Sequence, residues 1–296
     1  MASRPPSGRP GFGAKPRAKP DFSGKIGVKP GATREQVERR ERFMRAKRES
    51  LRGTDTDGPV IMYGWHTVTA ALRNPARHLR RLLVTENAAR RLAEDGITPA
   101  IEPELVRPSA IAERLLPDAV HQGFYLEADP LPAPSIEDLP RQGKGKSLVL
   151  VLDQITDPHN VGAIFRTAAA FSAAAIVTTQ RHSPDATGAL AKAASGALEH
   201  VPLINVQNLA RGLAELKEAG FLVVGLDSTG EADLDDLPLR APLALVLGAE
   251  GKGLRQLTRD TCDHVARIDL TGAIRSLNVS NAAALSLYIA SRKLKA

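Results

Sequence analysis

Between residues 148 and 247 the apolar positions of this chain fall into two alternating rhythms. A continuous apolar run at 148–153 (LVLVLD) and further strand candidates at 176–179, 201–206, 221–227 and 243–247 are separated by stretches at 161–171, 186–198 and 209–219 with helical apolar spacing. An unbroken run has no polar face to offer water, which predicts strands covered on both sides in a parallel sheet; the helical rhythm predicts the elements that cover them. The alternation implies an open, mainly parallel α/β sheet whose ligands bind beyond the carboxyl ends of its strands. The chain closes with a strand at 266–270, a polar turn containing Gly272, a Ser-Leu-Asn-Val-Ser run at 276–280, and a helix in which Ala284, Leu285, Tyr288 and Ile289 recur at helical spacing. Ser280 or Asn281 is the expected cap of that helix.

Upstream the pattern is shorter in period. A strand entering a helix is predicted at 60–74, strands at 79–85 (LRRLLVT) and 121–126 (HQGFYL), and helices at 87–95 and 106–116. Such repeats make a small α/β domain, 59–128. Residues 129–147 are rich in proline and poor in core residues, and predict a linker to the larger domain at 148–296. Residues 1–31 hold six Pro and six Gly with few apolar positions, a composition too poor in burial to offset ordering entropy, and are expected to be disordered. Residues 33–52 can form a charged helix, so 1–58 reads as an extension that either binds RNA or aids solubility.

Charge sharpens this division. The net charge is +7, yet residues 1–58 carry 15 Lys/Arg against 7 Asp/Glu while the remainder carries 25 against 26. Attraction to polyanions is therefore a property of the extension first, and of the folded part only through local patches. One such patch is predicted where Arg73, Arg77, His78, Arg80 and Arg81 cluster around the first helix and second strand: solvated helix-end charges or a phosphate-facing surface. The single cysteine, Cys262, excludes an internal disulfide framework and a multi-cysteine zinc site; no metal is expected. No apolar run approaches the roughly 20 residues of a membrane span, and a cytoplasmic, membrane-free protein is expected.

Three segments at predicted strand ends carry candidate chemistry. In 154–171 (QITDPHNVGAIFRTAAAF), Pro158 and Asn160 suit a helix start and small residues permit close packing; Arg166, six residues after Asn160, is either a surface ion-pair partner or a fixed cation for phosphate. In 245–254 (LVLGAEGKGL), Gly248, Gly251 and Gly253 let the backbone adopt positive φ and approach a ligand. The third is the 276–280 run, which crowds hydroxyl and amide groups at a helix start.

Taken in this order, Asp157-Pro158-His159-Asn160-Val161-Gly162 with Arg166, Gly248-Ala249-Glu250-Gly251, and Ser276-Leu277-Asn278-Val279-Ser280 closely resemble the three motifs of the SpoU (TrmH-like) RNA ribose 2′-O-methyltransferases. Tyr63-Gly64, the helix after it, and His121-Gln122-Gly123 resemble the substrate-binding domain of the ribosomal-RNA branch, itself similar to ribosomal protein L30e. The resemblance covers residues 60–296. It implies a trefoil-knotted, SPOUT-type α/β domain, a homodimer, and S-adenosylmethionine held through Gly248, Ile268 and Leu277. It places Asn160, Arg166, Glu250, Ser276, Asn278 and Ser280 at the reaction site; the clustering of Arg73, Arg77, Arg80 and Arg81, read independently of the resemblance, makes them the candidate RNA contacts of the small domain. The implied reaction is 2′-O-methylation of a ribose, with a guanosine of large-subunit ribosomal RNA as the expected substrate. Transfer RNA is the alternative substrate, and a non-catalytic RNA-binding assembly factor the alternative role. A nicotinamide-dependent dehydrogenase lacks its glycine fingerprint here. Arg275 and Asn281 depart from the commonest form of the third motif.

Overall fold

The computed structural model describes residues 58–116, 119–132, 134–139, 147–179, 188–273 and 276–294. The expectations for the basic extension, and Arg275, lie outside these residues.

The first part is built on β1 (Val60–Tyr63), α1 (Trp65–Arg73), β2 (Leu79–Val84), α2 (Glu86–Glu94), β3 (Glu104–Leu105), α3 (Pro108–Ala112) and β4 (Phe124–Ala128). Its sheet runs β1-β4-β2-β3, with β4 antiparallel to both neighbours. Met62, Val68, Leu82, Val84, Phe124 and Leu126 form its core, and Trp65 meets Phe124 edge-on at 5.4 Å between ring centroids. The helix predicted at 106–116 is confined to α3, where Pro108 sits in the first turn, and the strand predicted at 121–126 begins later, because Gln122 and Gly123 adopt positive φ.

The linker is partly docked. Ser135 and Asp138 form a capping box around a 3-10 turn at Ile136–Asp138, which buries Ile136 and Leu139 in the core of the second sheet. A composition-based reading undervalues two apolar residues placed so close to a large core.

The second part comprises β5 (Leu148–Asp153), α4 (Pro158–Ala170), β6 (Ala175–Thr179), α5 (Gly188–Ala194), β7 (Leu203–Val206), α6 (Leu209–Glu218), β8 (Leu222–Leu226), β9 (Ala232–Asp233), β10 (Leu243–Gly248), α7 (Gln256–Thr261), β11 (His264–Arg267) and α8 (Val279–Lys293). The seven strands are ordered β7-β6-β5-β10-β8-β11-β9 and every pairing is parallel. Along β5, Leu148, Leu150 and Leu152 face a core shared with Ile164, Phe165 and Leu287, while Val149 and Val151 face one shared with Leu209, Leu213 and Leu216. Alternate residues thus feed opposite cores, which is why the run has no polar member until Asp153. The sequence pattern missed β9 and α7, both too short to show a period. Among the described residues no helix is long and apolar enough to cross a membrane.

Helix α5 and the 3-10 turn at Ala197–Glu199 join the two parts. Ala191 lies in the core of the small sheet, and Thr67 Oγ1 donates to the Ala191 carbonyl at 3.2 Å. Glu199, 2% exposed in its side chain, accepts from Arg77 Nε at 3.2 Å and from Asn74 Nδ2 at 2.7 Å, and forms an ion pair with Arg77 Nη2. Arg77 also donates to the Asp129 carbonyl at 2.8 Å. A carboxylate so withdrawn from water persists only with its charge and hydrogen bonds answered.

Candidate active site

Strands β5 and β10 are neighbours in register, Asp153 opposite Gly248, so the first and second motifs leave the sheet at the same level from its centre. From β5 the chain enters α4 through Asp157, whose side chain accepts from His159 N at 3.0 Å, and Pro158, which needs no intrahelical donor at the first position. Asn160 therefore stands on the first turn. Gly162 lets α4 come against α5: a Cβ there would lie 2.3 Å from the Ala193 Cβ.

The third motif returns to this point. Asn278 caps α8, accepting from Ser280 N at 2.8 Å and Ser280 Oγ at 2.6 Å. The cap is thus neither Ser280 nor Asn281, the two residues the spacing suggested. Asn278 is chosen because its amide is engaged on the far side, donating to Asn160 Oδ1 at 3.0 Å and to Glu250 Oε1 at 2.8 Å. Glu250 Oε1 also accepts from Asn160 Nδ2 at 3.1 Å and from Val279 N at 3.2 Å. One carboxylate oxygen thereby gathers a side chain from each of the other two motifs and an unsatisfied N–H of the α8 N-terminus, where negative charge is favoured.

Asn160, Glu250, Asn278 and Ser280 are thus brought together. Ser276 is exposed and has no hydrogen-bond partner among the described residues. Arg166 lies on α4 about 9 Å along the helix axis from Asn160 and about 120° around it. It is exposed, with no hydrogen bond or ion pair among the described residues, so its charge remains available to a ligand.

The glycine turn after β10 is braced by residues outside the three motifs. Asp153, 1% exposed, accepts from Arg255 Nε at 2.6 Å and Arg255 N at 3.1 Å. Asp227, at the end of β8, accepts from Leu254 N at 3.2 Å and from Thr229 N at 2.9 Å. Burial raises the Asp227 pKa, but the bonds from Thr229 and Leu254 and the Arg259 charge together outweigh it and hold the carboxyl below its usual range. The sequence signal was present: both aspartates end an apolar strand run, LVLVLD and FLVVGLD. Between these braces Gly253 N donates to the Ala249 carbonyl at 2.9 Å, with Gly251 at φ 72° and Gly253 at φ 64°.

This surface suits a nucleoside cofactor. Among the described residues no heavy atom lies within 4 Å of a Cβ position at Gly251 or Gly272, which leaves the backbone there open to close approach. Gly248, Ile268 and Leu277, on three segments leaving the carboxyl edge of the sheet, are half-buried, so their apolar groups are partly withdrawn from water yet not closed off by protein.

The small-domain cations are mostly committed. Arg77 is buried against Glu199, which removes it from any RNA-facing surface. Arg80 pairs with Asp129, and Arg81 forms a two-pronged pair with Glu104, both contacts at 2.8 Å. Arg73 is exposed, with no pair among the described residues. Cys262 is no nucleophile: burial first, then Asp263, pushes its thiol up to about 12. Iodoacetamide at pH 8 is accordingly expected to label half-buried Cys262 far more slowly in the folded protein than once denatured, as mass spectrometry would read; equally rapid labelling of the native protein would contradict the raised thiol pKa.

Known proteins resemble this chain along most of its length. Residues 147–288 match the SpoU rRNA Methylase family, and residues 61–134 match the RNA 2′-O ribose methyltransferase substrate binding family. The 23S rRNA (guanosine-2′-O-)-methyltransferase RlmB of Ralstonia nicotianae is 40% identical over 79% of this chain and 95% of its own. RlmB of Pseudomonas aeruginosa is 38% identical over 77% and 94%. The SpoU methyltransferase AviRb from Streptomyces viridochromogenes, solved with AdoMet, shares the fold at TM-score 0.68 and 24% identity, over 86% of this chain and 93% of that one. An AdoMet-bound rRNA methyltransferase from Sinorhizobium meliloti does so at TM-score 0.67 and 22% identity, over 87% and 94%. With matches that span both sheets and relatives aligned along nearly their whole length, the chain belongs to the SpoU rRNA methylase family.

Proposed function

We propose that this protein methylates the ribose 2′-oxygen of a guanosine in 23S ribosomal RNA, with S-adenosylmethionine as methyl donor. The observation that carries the reading is the Asn160–Glu250–Asn278 junction, in which residues as far as 118 positions apart meet at the carboxyl edge of the sheet. The Ralstonia and Pseudomonas relatives, aligned along nearly their whole length, are named for this substrate. When bound, the cofactor supplies an electrophilic methyl carbon, which the ribose oxygen takes as the carbon–sulfur bond breaks and the hydroxyl proton leaves.

The chain supplies alignment and electrostatics. Gly248, Ile268 and Leu277 hold the cofactor, largely through main-chain groups and apolar cover. The Asn160–Glu250–Asn278 junction fixes the start of α4 against the start of α8, so that Ser276, Ser280 and Arg166 are presented in one arrangement. Arg166 orients the RNA phosphate and stabilises the developing 2′-oxyanion; a guanidinium stays protonated and so does not serve as the base. The domain division at 59–128 and 148–296, the trefoil threading, the homodimer and a cytoplasmic location belong to the same reading. The return of Asn278 to Asn160 supports the threading.

The test is 2′-O-methyl mapping of total RNA in cells with and without the gene: one guanosine of 23S RNA should lose its methyl group. Loss at a transfer-RNA position, or no loss, would overturn the substrate. The extension should add affinity without choosing the nucleotide, because it has charge but little apolar sequence with which to read bases. Deleting residues 1–58 should flatten the salt dependence of RNA binding, each lost phosphate contact removing roughly 0.7–0.9 from the log–log slope. An unchanged slope would leave it a solubility device.

A further inference from the structure

With Arg77, Arg80 and Arg81 each facing a carboxylate, the cations of the small domain nominated by their clustering are largely neutralised. Two other cations are held differently. The Arg91 guanidinium lies 3.8 Å from the Trp65 ring centroid, and Lys192 Nζ lies 5.3 Å from that of Tyr63. The rings flank Gly64 in sequence and are 6% and 8% exposed, so each is held in place by the protein around it. A ring face orients a cation through its quadrupole but contributes no net negative charge, so each cation keeps its full attraction for an anion. Neither has a carboxylate partner among the described residues.

Lys192 is also placed where the two parts of the protein meet. Its neighbours in α5 have opposite duties: the Ala191 carbonyl accepts from Thr67 on α1, and Ala193 abuts Gly162 on α4, two residues beyond Asn160. Lys192 therefore sits between the substrate-binding sheet and the helix that carries Asn160 and Arg166. His121 adds a neutral donor nearby. Its Nδ1 accepts from Gly123 N at 3.1 Å, which leaves the ring proton on Nε2, and burial together with the Lys192 charge holds its pKa below the usual value.

We infer that Lys192 and Arg91, held over Tyr63 and Trp65, are the cations through which the small-domain side of the protein grips the phosphodiester backbone of its RNA. This rests on the proposed RNA substrate. It assigns the backbone contact to ring-supported cations at the junction with the methyltransferase sheet and withdraws it from Arg77, Arg80 and Arg81.

The experiment compares the full-length protein with Lys192→Met, Arg91→Met and Arg80→Met, measuring ribosomal-RNA binding across a salt series alongside methyl-transfer kinetics. Methionine keeps an unbranched stem over the ring and removes the charge, so packing is retained. Lys192→Met and Arg91→Met should each lower the log–log salt slope by about 0.7–0.9. Each should raise the KM for RNA several-fold while kcat at saturating RNA stays within about twofold. Lys192→Arg should restore both quantities, and Arg80→Met, which removes a cation already paired with Asp129, should leave the slope at its wild-type value. Wild-type slopes in both Lys192→Met and Arg91→Met, or a lower slope in Arg80→Met alone, would overturn the assignment. Binding is read independently of catalysis: wild-type protein that binds ribosomal RNA but forms no 2′-O-methyl product would overturn the proposed reaction, while the slopes would still decide the phosphate contact.

Discussion

Replacing Gly248 with valine is expected to abolish S-adenosylmethionine binding in calorimetry while leaving the far-ultraviolet circular dichroism nearly unchanged. A Cβ at this position would lie 2.3 Å from the carbonyl carbon and oxygen of Gly253 and 2.6 Å from Leu254 N. These are backbone atoms, which cannot rotate aside as a side chain could. The turn would have to lift, yet it is held at Leu254 by Asp227 and at Arg255 by Asp153. Overpacking of this kind costs about 1–3 kcal/mol even where neighbours can move, and here the atoms that must move belong to the turn packed directly against Gly248, one of the residues proposed to hold the cofactor. The obstruction is therefore the turn's own backbone. Binding at near wild-type affinity would show that the cofactor does not depend on this turn.

The second large effect is expected at Arg166. Arg166→Ala should keep cofactor affinity and lose about 10²–10³ in rate, the usual cost of one preorganised electrostatic donor. Arg166→Lys should lose less but not recover fully, because an ammonium offers a point charge where guanidinium offers a planar pair of donors. The structure adds a reason to expect a clean separation: Arg166 is exposed and makes no bond to Asn160, Glu250 or Asn278, so its removal leaves that junction whole. Product is read by alkaline hydrolysis, since a 2′-O-methyl group removes the internal nucleophile and leaves a gap in the ladder. A gap formed at wild-type rate by Arg166→Ala in single-turnover conditions would remove this residue from the reaction.

The contrast between Arg166 and Arg77 shows where sequence reasoning stops. Both are arginines near a helix, and local sequence offers each the same two fates. Arg77 is claimed by Glu199, 122 positions away, through a contact that exists only once α5 has docked on α1. Arg166 meets no such partner among the described residues.

Much of the architecture was legible because burial writes itself into local pattern. The run LVLVLD had to be a strand with two covered faces, since alternate leucines and valines leave no side for water, and the order of runs and helical spacings implied a parallel sheet. The motif residues were legible as types at strand ends. Their arrangement was not, because periodicity states that a face is buried without naming what buries it. The run Ser276 to Asn281 offers several residues able to cap a helix, and tertiary structure chose Asn278, whose amide is held by Asn160 and Glu250. Ile136 and Leu139 looked stray in a proline-rich linker until the second sheet provided a core within reach. The sequence by itself determined which segments become strands, where the polar ends of those strands fall, and which side chains stand there. Tertiary structure decided which of those side chains answer one another, because hydrogen bonds and ion pairs between residues more than a hundred positions apart form only after strand order has brought their elements together.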